Sequence, residues 1–196
     1  MAKKKLPKFE FKPDPTGSDH RKIFQLSNHQ RSRILKWSLY ILLAVAALLM
    51  QDTILSRVRI AGATTDLFVG TVLMIAMLEG AERGGLFALL GSLFYYYSGS
   101  APGVYVVILL TVAATIGSLY RQGYWSQSMS STLLCTFLSL LCYELVLMFI
   151  GVLMNLTMLR RAGVFCTTAL LTTIALVPLY YLARGIGQIG GELWKE

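Results

Sequence analysis

The sequence predicts an all-α fold: a polytopic integral membrane protein with about six transmembrane helices. Three observations predict it. Of 196 residues, 55% are apolar and only 14% are charged, with mean hydropathy +0.60. A soluble domain carries about 25% charged residues, because its surface must meet water. The apolar residues fall in runs near the length that crosses a bilayer, about 20 residues for roughly 30 Å. The charge is gathered at one end: residues 1–36 hold ten of the eighteen Lys and Arg but three of the ten Asp and Glu. The formal net charge of +8 thus belongs mostly to a tail. It points to orientation in a membrane and gives no support to nucleic-acid binding.

Residues 1–33 form that basic tail, with Pro7, Pro13, Pro15 and Lys3-Lys4-Lys5. They offer little to bury, so the tail is expected to be largely disordered and cytoplasmic. It either attracts anionic lipid or serves as an orientation signal alone. A transmembrane domain over 34–184 follows, then a short tail, 185–196. The first span is expected at Ile34–Leu55, with Lys36 and Asp52 near its ends, where both can snorkel to the headgroups. The second, Asp66–Leu78, is short, with twelve uncharged residues before Glu79. Arg83 and Arg121 bound an uncharged run of 37 residues, too long for one crossing. Ser98-Gly99-Ser100-Ala101-Pro102-Gly103 divides it into a third span, Gly84–Tyr97, and a fourth, Gly103–Tyr120. The fifth is Ser130–Met154. The sixth is Val164–Ala183, with Pro178 as a candidate kink.

Six spans place both termini on one side. With the amino terminus in the cytoplasm, fourteen Lys and Arg lie inside and four outside, as the positive-inside rule requires. The tail drives this split; without it the loops divide four to four.

Glu144 is the one ionisable residue well inside a predicted span. It must face the bundle, a partner helix or water, or be protonated. It is a proton or substrate site, a polar lock to another membrane protein, or a structural hydrogen bond within the bundle. Asp66, Glu79, Glu82 and Arg83 flank the second span. The glycine-rich stretch Glu79–Gly85 suits a tight helix-to-helix turn, with its charges expected among the headgroups. It lacks the pattern of a phosphate loop. Gly84, Ala88 and Gly91 recur at helical spacing and suit close helix packing. Arg57 and Arg59, with Arg160 and Arg161, are cations on the predicted outer side, either headgroup anchors or a patch for an external partner. Cys135, Cys142 and Cys166 have no metal or disulfide spacing and are expected to pack as small hydrophobes. The body has no histidine, and no H-E-x-x-H or G-x-S-x-G pattern occurs. No enzyme, cofactor or metal is therefore expected.

The residues that flank the second span carry a resemblance. Thr65-Asp66-Leu67 opens an apolar span; Leu78-Glu79-Gly80 and Glu82-Arg83-Gly84 end it. A helix through Gly91 then leads to Ser98-Gly99-Ser100, Gly103 and a further helix with Gly117. Gln51 and Leu55, before Arg57, Arg59 and Gly62, fit the end of a first span. Over about residues 48–118 this resembles the MreD family of bacterial rod-shape-determining membrane proteins. The family often has an acid before the Ser-Gly turn, where this chain has Tyr95. The resemblance implies a non-enzymatic component of the cell-elongation machinery in the cytoplasmic membrane. Such a component binds a single-pass partner like MreC and works beside MreB and the polymerase–transpeptidase pair of peptidoglycan synthesis. It also implies a fold similar to the six-helix substrate-binding subunits of energy-coupling-factor transporters. A vitamin-binding subunit of that kind is the alternative function. For partner contact the resemblance singles out Asp66, Glu79, Glu82 and Arg83; placement alone adds Arg57, Arg59 and Glu144.

Overall fold

The computed structural model describes residues 28–57, 62–124, 128–158 and 161–189. The basic tail up to residue 27 lies outside the described residues, as do Arg59, Arg160 and the last seven residues. Among the described residues the chain is all-helical. The elements are α1 (Asn28–Thr53), a 3-10 turn (Leu55–Arg57), α2 (Leu67–Glu79), α3 (Ala81–Tyr97), α4 (Tyr105–Tyr124), α5 (Met129–Leu153) and α6 (Ala162–Gln188). Each expected span has its helix. α1 starts six residues before Ile34, and α6 runs unbroken through Pro178 to Gln188.

Among the described residues four helices, α1, α4, α5 and α6, are long and apolar enough to cross a membrane. α2 has 13 residues, about 20 Å at 1.5 Å per residue, and α3 has 17. The shortness of α2 has a structural counterpart, because all 13 of its residues are buried. A helix with no polar face has no side to give to water. Its lone hydroxyl, Thr71, donates back to the Leu67 carbonyl at 2.7 Å. α2 is the axis of the molecule and touches α1, α3, α4, α5 and α6. Around it the others pack in the order α1, α6, α5, α4, α3. The wall is loosest between α3 and α1, where the rings of Trp37 and Phe87 meet at 5.9 Å.

Two glycines make the sharp return from α2 into α3. Gly80 has φ 89° and ψ 173°, a region closed to residues with a Cβ. Gly84 then lies against the α2 backbone; a Cβ there would come within 2.5 Å of the Ala76 Cα.

Candidate functional site at the two ends of the central helix

At the Glu79 end of α2, three helices bring polar groups together. Lys36 Nζ of α1 lies 2.7 Å from Glu79 Oε1, and both side chains are almost fully buried, 6% and 2% exposed. The Tyr40 hydroxyl donates to the same oxygen at 2.7 Å. From α4, the buried Arg121 donates through Nη1 to the Met77 carbonyl. Two cations thus sit where the partial negative charge of the α2 carboxyl terminus gathers. Lys36 was expected to snorkel outward and Glu79 to sit among headgroups. The structure corrects both: each is the other's buried partner. Lys36, Glu79 and Arg121, at or just beyond the ends of the expected spans, are buried as Glu144 is.

At the other end, Asp66 precedes the first turn of α2. Its carboxylate does not cap that turn. Instead Gln51 of α1 supplies the cap from outside, accepting from the Phe68 N–H at 2.8 Å through Oε1. The same amide donates through Nε2 to Asp66 Oδ1 at 2.9 Å. The Tyr95 hydroxyl of α3 donates to Oδ1 as well, at 3.1 Å. The Asp66 N–H donates to Thr172 Oγ1 at 2.9 Å. Thr172 lies ten residues into α6, about 15 Å from that helix's start at Ala162. Asp66 is therefore set well inside the α5–α6 hairpin, not at its rim.

The candidate residues fall into three groups. Asp66 and Glu79 are held by intramolecular bonds at opposite ends of α2. Glu82, Arg83 and Arg57 are exposed, the first two on the opening turn of α3 and the third in the 3-10 turn. Glu144 is buried on α5, within electrostatic reach of Asp66. Of the cysteines, Cys135 is packed, whereas Cys142 and Cys166 are exposed, contrary to the expectation that all three pack. Sequence reasoning missed Lys36, Tyr40, Gln51, Tyr95, Arg121 and Thr172 as members of these clusters. The resemblance touches Gln51 and Tyr95 but gives neither a role.

Among the described residues, two apolar grooves open between helices of the wall. One, of about 540 Å³, lies between α1 and α3, floored by Ala44 and Gly91 and lipped by Arg83. The other, of about 480 Å³, lies between α4 and α5 and reaches Ser139 and Tyr143.

Comparison of the chain with protein-family models, curated proteins and solved structures finds no match. What fold and site define is an all-helical bundle whose four long apolar helices fit a multi-pass membrane protein. At its centre is a short helix held at both ends by buried polar clusters.

Proposed function

We propose that the chain is a non-enzymatic, partner-binding scaffold of the MreD type, acting in the cell-elongation machinery of a bacterial cytoplasmic membrane. One observation carries this reading. Six of the residues on which the resemblance rests surround one element. Asp66 opens α2 and Glu79 closes it. Gly80 turns the chain, Gly84 packs on Ala76, and Gly91 faces Val72. Gly117 faces Met77 and Ser139. In this reading all six helices cross the membrane, with both termini cytoplasmic. The Arg83 lip then lies at the cytoplasmic face. The groove between α1 and α3 receives the membrane helix of an MreC-like single-pass partner, since that is where the wall around α2 is loosest. Ala44 and Gly91 let a foreign helix approach closely. Tyr95 takes the place of the family's acid by donating a hydrogen bond to Asp66, where a second carboxylate would repel it.

The test is co-purification with the MreC-like partner from membranes. Asp66→Ala is expected to weaken it several-fold at equal expression, by releasing Gln51 and Tyr95 and so the α1–α2–α3 arrangement that shapes the groove. Undiminished co-purification at equal membrane insertion overturns the reading. A tag on Met1 that an impermeant reagent reaches in intact cells overturns the orientation.

A second reading, a vitamin-binding subunit of an energy-coupling-factor transporter, draws support from groove size. Both volumes fall within the few hundred Å³ typical of small-molecule sites. Native mass spectrometry decides for it if the purified protein retains a stoichiometric small molecule.

A further inference from the structure

The groove between α1 and α3 has a charged mouth. Its lining falls on one face of each helix: Trp37, Ile41 and Ala44 on α1, and Arg83, Leu90 and Phe94 on α3. Both helices run antiparallel to α2. α1 meets Glu79 through Lys36 near its start and Asp66 through Gln51 near its end, and α3 turns straight back from α2 at Gly80. α1 and α3 are therefore parallel, and the contact of the Trp37 and Phe87 rings at 5.9 Å sets their register. Arg33 stands four residues before Trp37, as Arg83 stands four before Phe87. Residues four apart share a helix face. Both arginines thus lie one turn beyond the ring pair, at the same end of the groove, and both are exposed.

The charge at that end is one-sided. Arg31 adds a third exposed cation on α1, whose first turn has no acid. The opening turn of α3 contributes one acid, Glu82. α3 also starts at Gly80 without a side-chain cap, so its amino-terminal N–H groups add positive character. The groove's length is equally telling. From Arg83 to Phe94 it runs about 16 Å at 1.5 Å per residue. It ends there, because Tyr95 of α3 and Gln51 of α1 converge on Asp66. Half of a bilayer's hydrocarbon core is about 15 Å. One acyl chain of one leaflet fits that length whole, whereas a membrane helix of about 30 Å only crosses over it.

We propose that this groove binds an anionic phospholipid from the leaflet into which the amino end of α1 projects. The phosphate lies between Arg33 and Arg83, whose guanidinium donors match its oxygens. One acyl chain runs along the groove over Phe68 of α2 and covers Leu90, which is 65% exposed. Trp37 sits at the level where an aromatic ring meets the headgroups. The cations at the mouth select an anionic headgroup over a zwitterionic one. The partner helix of the scaffold reading covers the same groove and displaces the lipid, but the lipid site does not rest on that reading.

The experiment is native mass spectrometry of the detergent-purified full chain, titrated with dioleoyl phosphatidylglycerol or with dioleoyl phosphatidylcholine. The wild type is expected to hold one phosphatidylglycerol about tenfold more tightly than phosphatidylcholine, a difference of about 1.4 kcal/mol. Arg33→Gln combined with Arg83→Gln should abolish that preference. Arg57→Gln, which removes an exposed arginine beyond the opposite end of α1, should leave it intact. Dihexanoyl phosphatidylglycerol carries the same headgroup on chains too short to fill the groove, and should bind about tenfold more weakly than the dioleoyl lipid. Equal binding of the two headgroups by the wild type overturns the proposal, and so does equal binding of the short and long chains. The same loss of preference in Arg57→Gln overturns it too, since net charge alone would then be at work. The comparisons among lipids use the wild type, so they decide the matter even if a variant fails to fold.

Discussion

Lys36 shows how little a single residue's hydropathy says about its fate. A lysine two residues inside an apolar run is usually free to reach the interface, because its long stem lets the ammonium leave the hydrocarbon. Here a carboxylate from another helix waits 2.7 Å away, and the pair is buried. Removing one partner of such a pair strands the other, which costs about 3–5 kcal/mol, whereas replacing both by apolar groups is close to neutral. Lys36→Met is therefore expected to lower the unfolding midpoint in detergent sharply, and adding Glu79→Leu to restore most of it. Equal stability of the single and double variants would contradict this. At the opposite end, Tyr95→Phe removes one donor to a carboxylate, for an expected loss of about 1.5–3 kcal/mol on the same assay. Neither cluster was legible in the sequence. Asp66, Glu79 and Glu144 stood out because acids are rare among apolar runs. The partners of Asp66 and Glu79, among them Gln51, Tyr40 and Tyr95, are ordinary residues whose role arises only when distant segments meet.

The helices themselves were legible, because a bilayer-length apolar run bounded by charges or glycines has few other structures open to it. The ends were less so. α1 begins earlier and α6 ends later than the apolar runs, since a helix continues through polar residues such as Gln30 and Arg184 at little cost. The turn from α2 to α3 was legible from its glycines, although not the contact behind them. Gly80→Ala places a Cβ at φ 89°, an expected loss of about 1–3 kcal/mol. Gly84→Val drives a branched side chain into the Ala76 backbone and is expected to be worse, with reduced accumulation in membranes. Gly163→Ala is the control: its Cβ meets nothing within 4 Å, and alanine improves helix propensity by about 1 kcal/mol. A glycine-by-glycine comparison of folded yield in detergent checks all three.

On the scale of the whole molecule, the wall around α2 separates what holds the bundle together from what it offers to neighbours. Leu90 lies in the groove between α1 and α3 and is 65% exposed. Leu90→Trp should fill that groove without touching the interior. Under the proposed scaffold function, the expected result is unchanged unfolding but weaker capture of an MreC-like partner; unchanged capture would move the proposed docking face elsewhere, with the groove between α4 and α5 the next to probe. The axial position of α2 also bears on how the protein is made. A 13-residue segment is too short to span a bilayer alone; α1 precedes it with Gln51, Lys36 and Tyr40, but Arg121 and Thr172, which complete its two end clusters, are synthesised much later. Until α6 is released, the newborn chain holds an unsheltered middle. A ribosome stalled before α6 would leave the Asp66 end of α2 without its Thr172 contact, so a helix translated four elements later completes the shelter of α2.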